Sequence, residues 1–182
     1  MRFQVTCLAA LMLLVTGCEA AESNKRTPRP THFRHHAFSA ECGNTRSCKV
    51  LYANRYQVEE LEGGPISPLR EGVIKSARHG QLGIRNFPDP AVVSWQSLDG
   101  EKHEAEIDIG SIFKDRVVIH ADPVELVEDD SVNGEPMVLL VVDDRTVQVY
   151  MQSMVYLKKE AGRSDEVYKA RHDSVLAYSK TY

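Results

Sequence analysis

The chain has 182 residues, of which 42% are hydrophobic and 26% charged, and this balance excludes a wholly disordered protein. The formal net charge of -4 argues against nucleic acid as the main partner, because phosphate binding needs a concentrated positive field. The length fits one domain with an additional tail.

Residues 1–17 have the layout of a signal peptide. Arg2 supplies the positive start, and the apolar run 7–15 is shorter than the ~20 residues of a membrane-spanning helix. Small residues follow this run. The stretch Val15-Thr16-Gly17-Cys18 resembles the lipobox of bacterial lipoproteins, in which the cysteine thiol takes a diacylglycerol and the chain is cut before it.

This resemblance implies an N-terminal lipid on Cys18 that anchors the chain in the bacterial envelope, facing the periplasm. Glu19 follows the cysteine where the family's inner-membrane retention signal is typically Asp, which favours the outer membrane. Several acyl chains give stable anchoring without a transmembrane helix. The alternative is ordinary signal cleavage after Ala20 or Ala21, which the lipobox fits less well.

Beyond the signal peptide, we expect a lipid-anchored flexible tether over residues 18–40 and a β-rich periplasmic domain over residues 41–182. The tether contains Pro28 and Pro30, few large apolar residues and no hydrophobic period. Its histidines at 32, 35 and 36 could form a metal site on a helix. The two prolines favour an extended, solvated linker instead.

Two cysteines, Cys42 and Cys48, remain in the predicted domain. Gly43 and Asn44 between them allow a tight loop, and an oxidising periplasm favours a disulfide between the pair. A zinc site needs more ligands and a reactive thiol needs a nearby base, and neither is evident.

The hydrophobic pattern from residue 49 onward has mostly a period of two, which predicts strands. The clearest unit is a hairpin over residues 91–109, turning at Asp99-Gly100. The apolar run 137–142 predicts a buried central strand, and residues 147–157 predict a long strand after a turn.

Weaker patterns predict a strand over 50–56, an extended stretch over 73–84, a helical turn within 110–115 and a strand over 116–120. The tail from residue 161 is either a short helix or a last strand. About seven short strands favour a mainly β fold. We expect a single antiparallel β-sandwich or open barrel, with at most one or two short helices.

Residues 122–135 form an acidic segment with a loop-like composition. Its oxygen ligands fit the start of a calcium loop at Asp129, but the twelfth position is Leu140, where the bidentate carboxylate should stand. The segment is then either a solvated loop or an electrostatic contact surface for a basic partner. The predicted partner-binding residues are Asp122, Glu125, Glu128, Asp129 and Asp130.

Signals for catalysis are weak. His103 falls on the apolar face of its strand, which favours a core or edge histidine over a general base. His172, Asp173 and Ser174 are triad residue types, but adjacent side chains cannot form a relay. We therefore expect no enzyme, no cofactor and no metal, and a small hydrolase is the least favoured function.

Aromatic residues could contribute to binding. Trp95 is predicted to lie in the core beside Val93, because the two share one strand face. The tyrosines at positions 52, 56, 150 and 156 either form part of an aromatic binding patch or fill half-buried strand positions.

The pattern Val92-Val-Ser-Trp-Gln-Ser-Leu-Asp-Gly-Glu-Lys-His103, with residues 104–109 after it, is similar to a hairpin in small lipoproteins and other small proteins encoded beside type VI secretion effectors. The resemblance covers residues 50–157 and implies a β-rich binding domain. Some of these relatives are immunity proteins that cap a toxin in the periplasm. We therefore expect a lipid-anchored binding protein whose partner is a toxin or an envelope component. The alternative is a structural or assembly lipoprotein of the envelope.

Overall fold

The computed structural model describes residues 30–60, 67–76, 80–127, 135–158 and 170–182. The predicted signal peptide, Cys18 and the segment 128–134 lie outside these residues. The described residues form nine strands: β1 (His35–Gly43), β2 (Thr45–Tyr52), β3 (Arg55–Glu60), β4 (Gln81–Arg85), β5 (Ala91–Ser97), β6 (Lys102–Ile107), β7 (Met137–Asp143), β8 (Thr146–Tyr156) and β9 (Ala170–Thr181). They also form two short helices, α1 (Val73–Ser76) and α2 (Ile109–Ile112), and a 3-10 helix (Val124–Leu126).

The strands form two sheets, which confirms the predicted mainly β, sandwich-like fold. The five-stranded sheet has the order β4-β1-β7-β8-β9 and the four-stranded sheet the order β3-β2-β5-β6. The prediction of purely antiparallel strands is wrong at one place, because β1 and β7 pair in parallel from Ala37↔Met137 to Gly43↔Asp143. Parallel neighbours need a long crossover, and here the whole four-stranded sheet separates β1 from β7 along the chain.

The core lies between the two sheets, and strand periodicity explains it. In β5, Ala91, Val93 and Trp95 point inward and are buried, as the alternation predicts. In β7 both faces are buried. Val138 and Leu140 join the core between the sheets, and Leu139 joins a second cluster on the outer face. The continuous apolar run is therefore a central strand, as predicted.

Turn residues account for the hairpins. The predicted turn at Asp99-Gly100 joins β5 to β6, with Gly100 at φ 90°. The single strand predicted over residues 50–56 is instead the β2–β3 hairpin. Ala53 and Asn54 both take positive φ and reverse the chain, without the glycine that usually marks such a turn.

The predicted tether boundary at residue 40 is wrong, because β1 begins at His35 and lies inside the five-stranded sheet between β4 and β7. Phe38 and His36 are fully buried, so the solvated-linker interpretation fails for His36. The cause is tertiary structure, which the local sequence does not show. Two neighbouring strands supply hydrogen-bond partners for the backbone of β1, and the packed core buries its side chains.

Other weak predictions resolve in different ways. The extended stretch over 73–84 becomes α1 followed by β4, and the strand over 116–120 shrinks to one bridge between Val117 and His32. The helical turn within 110–115 corresponds to α2, and the undecided tail is strand β9.

The sandwich has two distinct ends. At the entry end, residues 30–34 lead into β1, Ala37 N–H donates to Pro136 O, and the Tyr52 hydroxyl meets His36. At the far end, β1 turns into β2 and Asp144 N–H donates to Gly43 O. Surfaces near the far end therefore lie opposite the point where the chain enters the domain.

Candidate functional site

The two sheets differ in how their outer faces are covered. On the five-stranded sheet, Leu69 and Ile74 pack over Leu139, Val141 and Tyr150. The Gln152 side-chain amide also donates to Ile74 O at 2.6 Å. No such segment lies over the four-stranded sheet among the described residues. We call the outer side of the four-stranded sheet the open face.

A charged row crosses the open face. The strand register places Lys49 between Glu59 and Ser94, and Ser94 opposite Glu104. Lys49 Nζ lies 3.3 Å from Glu59 Oε1, and both side chains are exposed enough that water screens the pair. The row therefore supplies polar groups of both signs and little stability.

An apolar row lies beside the charged one. Leu51 is opposite both Tyr56 and Val92, and Val92 is opposite Glu106 at the edge. Tyr56 is 52% exposed, and Lys49 Nζ lies 6.0 Å from its ring centroid. Of the four tyrosines weighed from sequence, Tyr56 is the exposed one, and Tyr52 and Tyr150 are buried.

A groove of about 460 Å³ opens on the same face, towards the far end of the sandwich. It is lined by Ser47, Lys49, Glu60, Ser94, Trp95, Lys102, His103 and Glu104. Small-molecule pockets are mostly apolar, with few polar groups. This lining is rich in charged and hydroxyl side chains, so it suits the polar surface of a protein better than a buried apolar ligand.

Trp95 lies beneath the groove and belongs to the core, as predicted. It is 3% exposed, and its indole N–H donates to Asp144 O at 2.7 Å. Its ring stacks on His103 at a centroid distance of 4.9 Å and meets Tyr182 edge-on. These contacts fix β5 and β6 against the β7–β8 turn, and so fix the floor of the groove.

His103 contacts a serine and lies close to a carboxylate, which is the arrangement that a hydrolase would need. Its Nε2 lies 3.0 Å from Ser97 Oγ, and Ser97 also donates to Asp99 Oδ1 at 2.5 Å. In a triad the acid contacts the imidazole, but here it contacts the serine, which is fully buried. The hydrogen bond from Ser97 holds the pKa of Asp99 below its usual range. The cluster closes the β5–β6 turn and offers no accessible nucleophile.

The second set of triad residue types is not brought together. His172 and Asp173 lie on opposite faces of β9, because neighbouring strand residues alternate. Asp173 Oδ2 accepts a hydrogen bond from Ala121 N–H at 3.0 Å, which holds the segment before the acidic loop against β9.

The predicted disulfide between Cys42 and Cys48 is confirmed. It joins the end of β1 to β2 across the turn at Asn44, whose φ is 53°. Cys48 is fully buried, and its neighbours Ser47 and Lys49 line the groove. The bond therefore ties the two sheets together beside the open face.

Part of the predicted acidic contact surface is described. Asp122 Oδ1 lies 3.6 Å from Arg171, and the Asp122 side chain is only 15% exposed, so Arg171 balances its charge. Glu125 is exposed. Glu128, Asp129 and Asp130 lie outside the described residues. No group of three or more His, Cys, Asp or Glu among the described residues could hold a metal ion.

Sequence reasoning missed a buried polar network at the entry end. His36 Nδ1–H donates to Asn86 Oδ1 at 2.7 Å, because an amide oxygen only accepts, and Nε2 therefore accepts from the Tyr52 hydroxyl at 3.0 Å. Burial lowers the pKa of His36 and raises that of Tyr52. No local signal marks these residues, since 50 positions separate His36 from Asn86.

Comparison with protein-family models, curated proteins and solved structures finds no match to this chain. Within the described ranges, no helix is long and apolar enough to cross a membrane.

Proposed function

We propose that the protein is a lipid-anchored, periplasm-facing binding protein that captures a protein partner on its open face. The lipobox at Cys18 supports the anchor, and Glu19 favours the outer membrane. The Cys42–Cys48 disulfide supports an oxidising compartment, because such bonds are rare in reducing ones.

The observation that carries the proposal is the composition of the open face. An exposed tyrosine stands in an apolar row with Leu51 and Val92, beside a row of charged side chains. Protein interfaces commonly have an apolar centre with a polar rim, and tyrosine is enriched among the residues that contribute most to binding. The outer face of the other sheet already has Leu69 and Ile74 packed on it.

The resemblance of residues 92–109 to proteins encoded beside type VI effectors makes a secreted antibacterial toxin the favoured partner. The protein would then act as an immunity protein that caps the toxin. Capping needs no chemistry from the cap, which fits a face built of one aromatic and several charged side chains. An envelope complex as the partner would instead identify an assembly lipoprotein.

The test starts from the lipidated protein, purified from detergent-solubilised membranes with its partner and identified by mass spectrometry. The purified partner is then titrated against Tyr56→Ala and against Leu82→Ala. Leu82 is the matched control, because it is 74% exposed and lies on β4, which belongs to the five-stranded sheet.

Loss of the exposed Tyr56 ring should raise Kd by about 30-fold, as for residues that dominate an interface. Leu82→Ala should leave Kd within about twofold. If Tyr56→Ala left Kd unchanged and Leu82→Ala raised it, the interface would not lie on the open face.

A further inference from the structure

The arginines among the described residues divide into two groups. In one group each guanidinium meets a carbonyl or carboxylate oxygen: Arg46 at Leu98, Arg70 at Glu41, Arg145 at Tyr182, and Arg171 at Asp122. In the other group the side chains are exposed and form no hydrogen bond or ion pair with any described residue. These are Arg34, Arg55, Arg85 and Arg116.

The four arginines of the second group share one location, the entry end of the sandwich. Arg34 precedes β1, and Arg85 is opposite His35 in the β1–β4 ladder. Arg116 O accepts from Phe33 N–H at 2.9 Å. Arg55 follows the β2–β3 turn, opposite Tyr52, whose hydroxyl bonds to His36. We call these four residues the arginine surface.

The backbone around the arginine surface is firmly held. Asn86 N–H donates to Arg34 O at 3.0 Å, and Val118 N–H donates to Thr31 O at 2.8 Å. A cavity of about 210 Å³ lies here, with Arg34, His35 and Glu135 in its lining. The arginine side chains therefore project from a fixed backbone, and Arg34 borders a small cavity.

Carboxylates also occur at this end. Glu135 lines the cavity and accepts from Gly83 N–H, and Asp108 accepts from Ser111 N–H at the start of α2. Asp89, Asp115 and Glu125 are exposed, and Asp122 is paired with Arg171. The named carboxylates are thus at least as numerous as the arginines at this end, and recognition must rest on guanidinium donors that no described residue occupies rather than on net charge.

We propose that the arginine surface docks on the phosphate groups of anionic phospholipids and holds the entry end against the membrane. The guanidinium fork matches phosphate with two parallel hydrogen bonds. This inference rests on the lipid anchor of the proposed function. The connection from Cys18 to Pro30 can span at most about 40 Å, so the entry end stays within that distance of the headgroups. A lipid plus a basic surface anchors more firmly than either alone.

Docking in this orientation has a consequence for the open face. Its groove lies towards the far end, so membrane contact at the entry end leaves the groove accessible from the periplasm. The entry end of the domain would then bind the membrane, and the open face would bind the protein partner.

The test uses the mature chain, residues 18–182 with Cys18→Ser, which carries no lipid. Its binding is measured by flotation with vesicles of phosphatidylcholine alone or mixed with phosphatidylglycerol. The triple variant Arg34→Gln/Arg85→Gln/Arg116→Gln should bind the mixed vesicles roughly 100-fold more weakly, given a factor of about five per basic residue at the surface.

The control variant Arg46→Gln/Arg70→Gln/Lys180→Gln removes the same charge elsewhere and should bind within about fivefold of the parent chain. If the first variant unfolds early, Arg34→Lys/Arg85→Lys/Arg116→Lys replaces it. That variant keeps the charge and loses the bidentate fork, and should bind at an intermediate level.

Equal loss in both Gln variants would overturn the proposal, because the effect would then reflect net charge alone. The proposal would also be overturned if the parent chain bound vesicles of phosphatidylcholine alone as tightly as the mixed vesicles. Complete displacement from the mixed vesicles by soluble glycerophosphate would overturn it as well. Palmitate labelling of Cys18 tests the anchor separately, so failure of the docking surface and failure of the lipid anchor give different results.

Discussion

At the scale of single residues, His36 links burial to pH. The folded chain holds its imidazole neutral, with Nε2 accepting from Tyr52, and burial lowers its pKa from 6.5. The unfolded chain therefore binds a proton at higher pH than the folded chain. The stability contributed by neutral His36 is fully present above pH 6.5 and is lost as the pH falls below it.

The free energy of unfolding should accordingly fall by up to about 1.4 kcal/mol per pH unit as the pH is lowered below 6.5, where the unfolded chain protonates His36 and the folded chain does not. Urea unfolding at several pH values between neutral and mildly acidic measures this slope. His36→Gln should reduce this slope. Tyr52→Phe should lower the free energy of unfolding at every pH and leave the slope unchanged. An unchanged slope in His36→Gln would show that another group controls the pH dependence.

The disulfide makes a second residue-scale prediction. Replacing both Cys42 and Cys48 by serine should lower the free energy of unfolding by about 2 kcal/mol, because the closed loop is short. Chemical denaturation measures the loss. Alkylation of the unreduced, denatured protein should label neither cysteine, and labelling at both positions would contradict the pairing.

At the scale of elements, the segment 67–76 covers the outer face of the five-stranded sheet, and Gly43 permits its close approach. A Cβ on Gly43 would lie 2.5 Å from Leu69 N, which is backbone and cannot easily move away. Gly43→Ala should therefore cost about 2 kcal/mol or more.

Gly100→Ala is the comparison for this substitution. Its Cβ would meet nothing closer than 3.8 Å, so only the positive φ opposes it, at about 1 kcal/mol. Thermal unfolding of both variants decides the matter. A smaller loss for Gly43→Ala than for Gly100→Ala would mean that the covering segment is not packed against Gly43.

The elements that the sequence predicts well are those whose patterns are local. The 91–107 hairpin, β7 and β8 follow from a period of two, a turn dipeptide and a continuous apolar run. Strand β1 has a weak pattern and gains its place from pairing with β7, about 100 residues later in the chain. The β2–β3 turn uses Ala53 and Asn54 and so lacks the usual glycine or proline.

The candidate site was harder to predict for the same reason. The rows of the open face exist only because the register aligns Lys49 with Ser94 and Leu51 with Val92. Tyr56 is exposed because it is opposite Leu51, whereas Tyr52, the residue after Leu51, points to the other face and is buried in the core. Sequence patterns fix the period of a strand but not its partner, so they could not place these residues on one surface.

At the scale of the whole molecule, the proposed roles fall on different parts of the surface, with the entry end at the membrane and the open face towards the partner. The membrane role begins at Cys18. Cys18→Ser should abolish incorporation of labelled palmitate and block signal removal by the lipoprotein route, since only a thiol forms the thioether to the lipid. Continued labelling of this variant would contradict the lipobox assignment.

The partner role can be tested against the predicted acidic surface, because the two lie on different parts of the molecule. Hydrogen exchange of the mature protein, measured with and without its purified partner, reports directly which strands and loops become covered. We predict slower exchange in β2, β3, β5 and β6, including the part of β3 that carries Tyr56. Protection confined to the acidic segment from Asp122 onward, or to the five-stranded sheet, would contradict it.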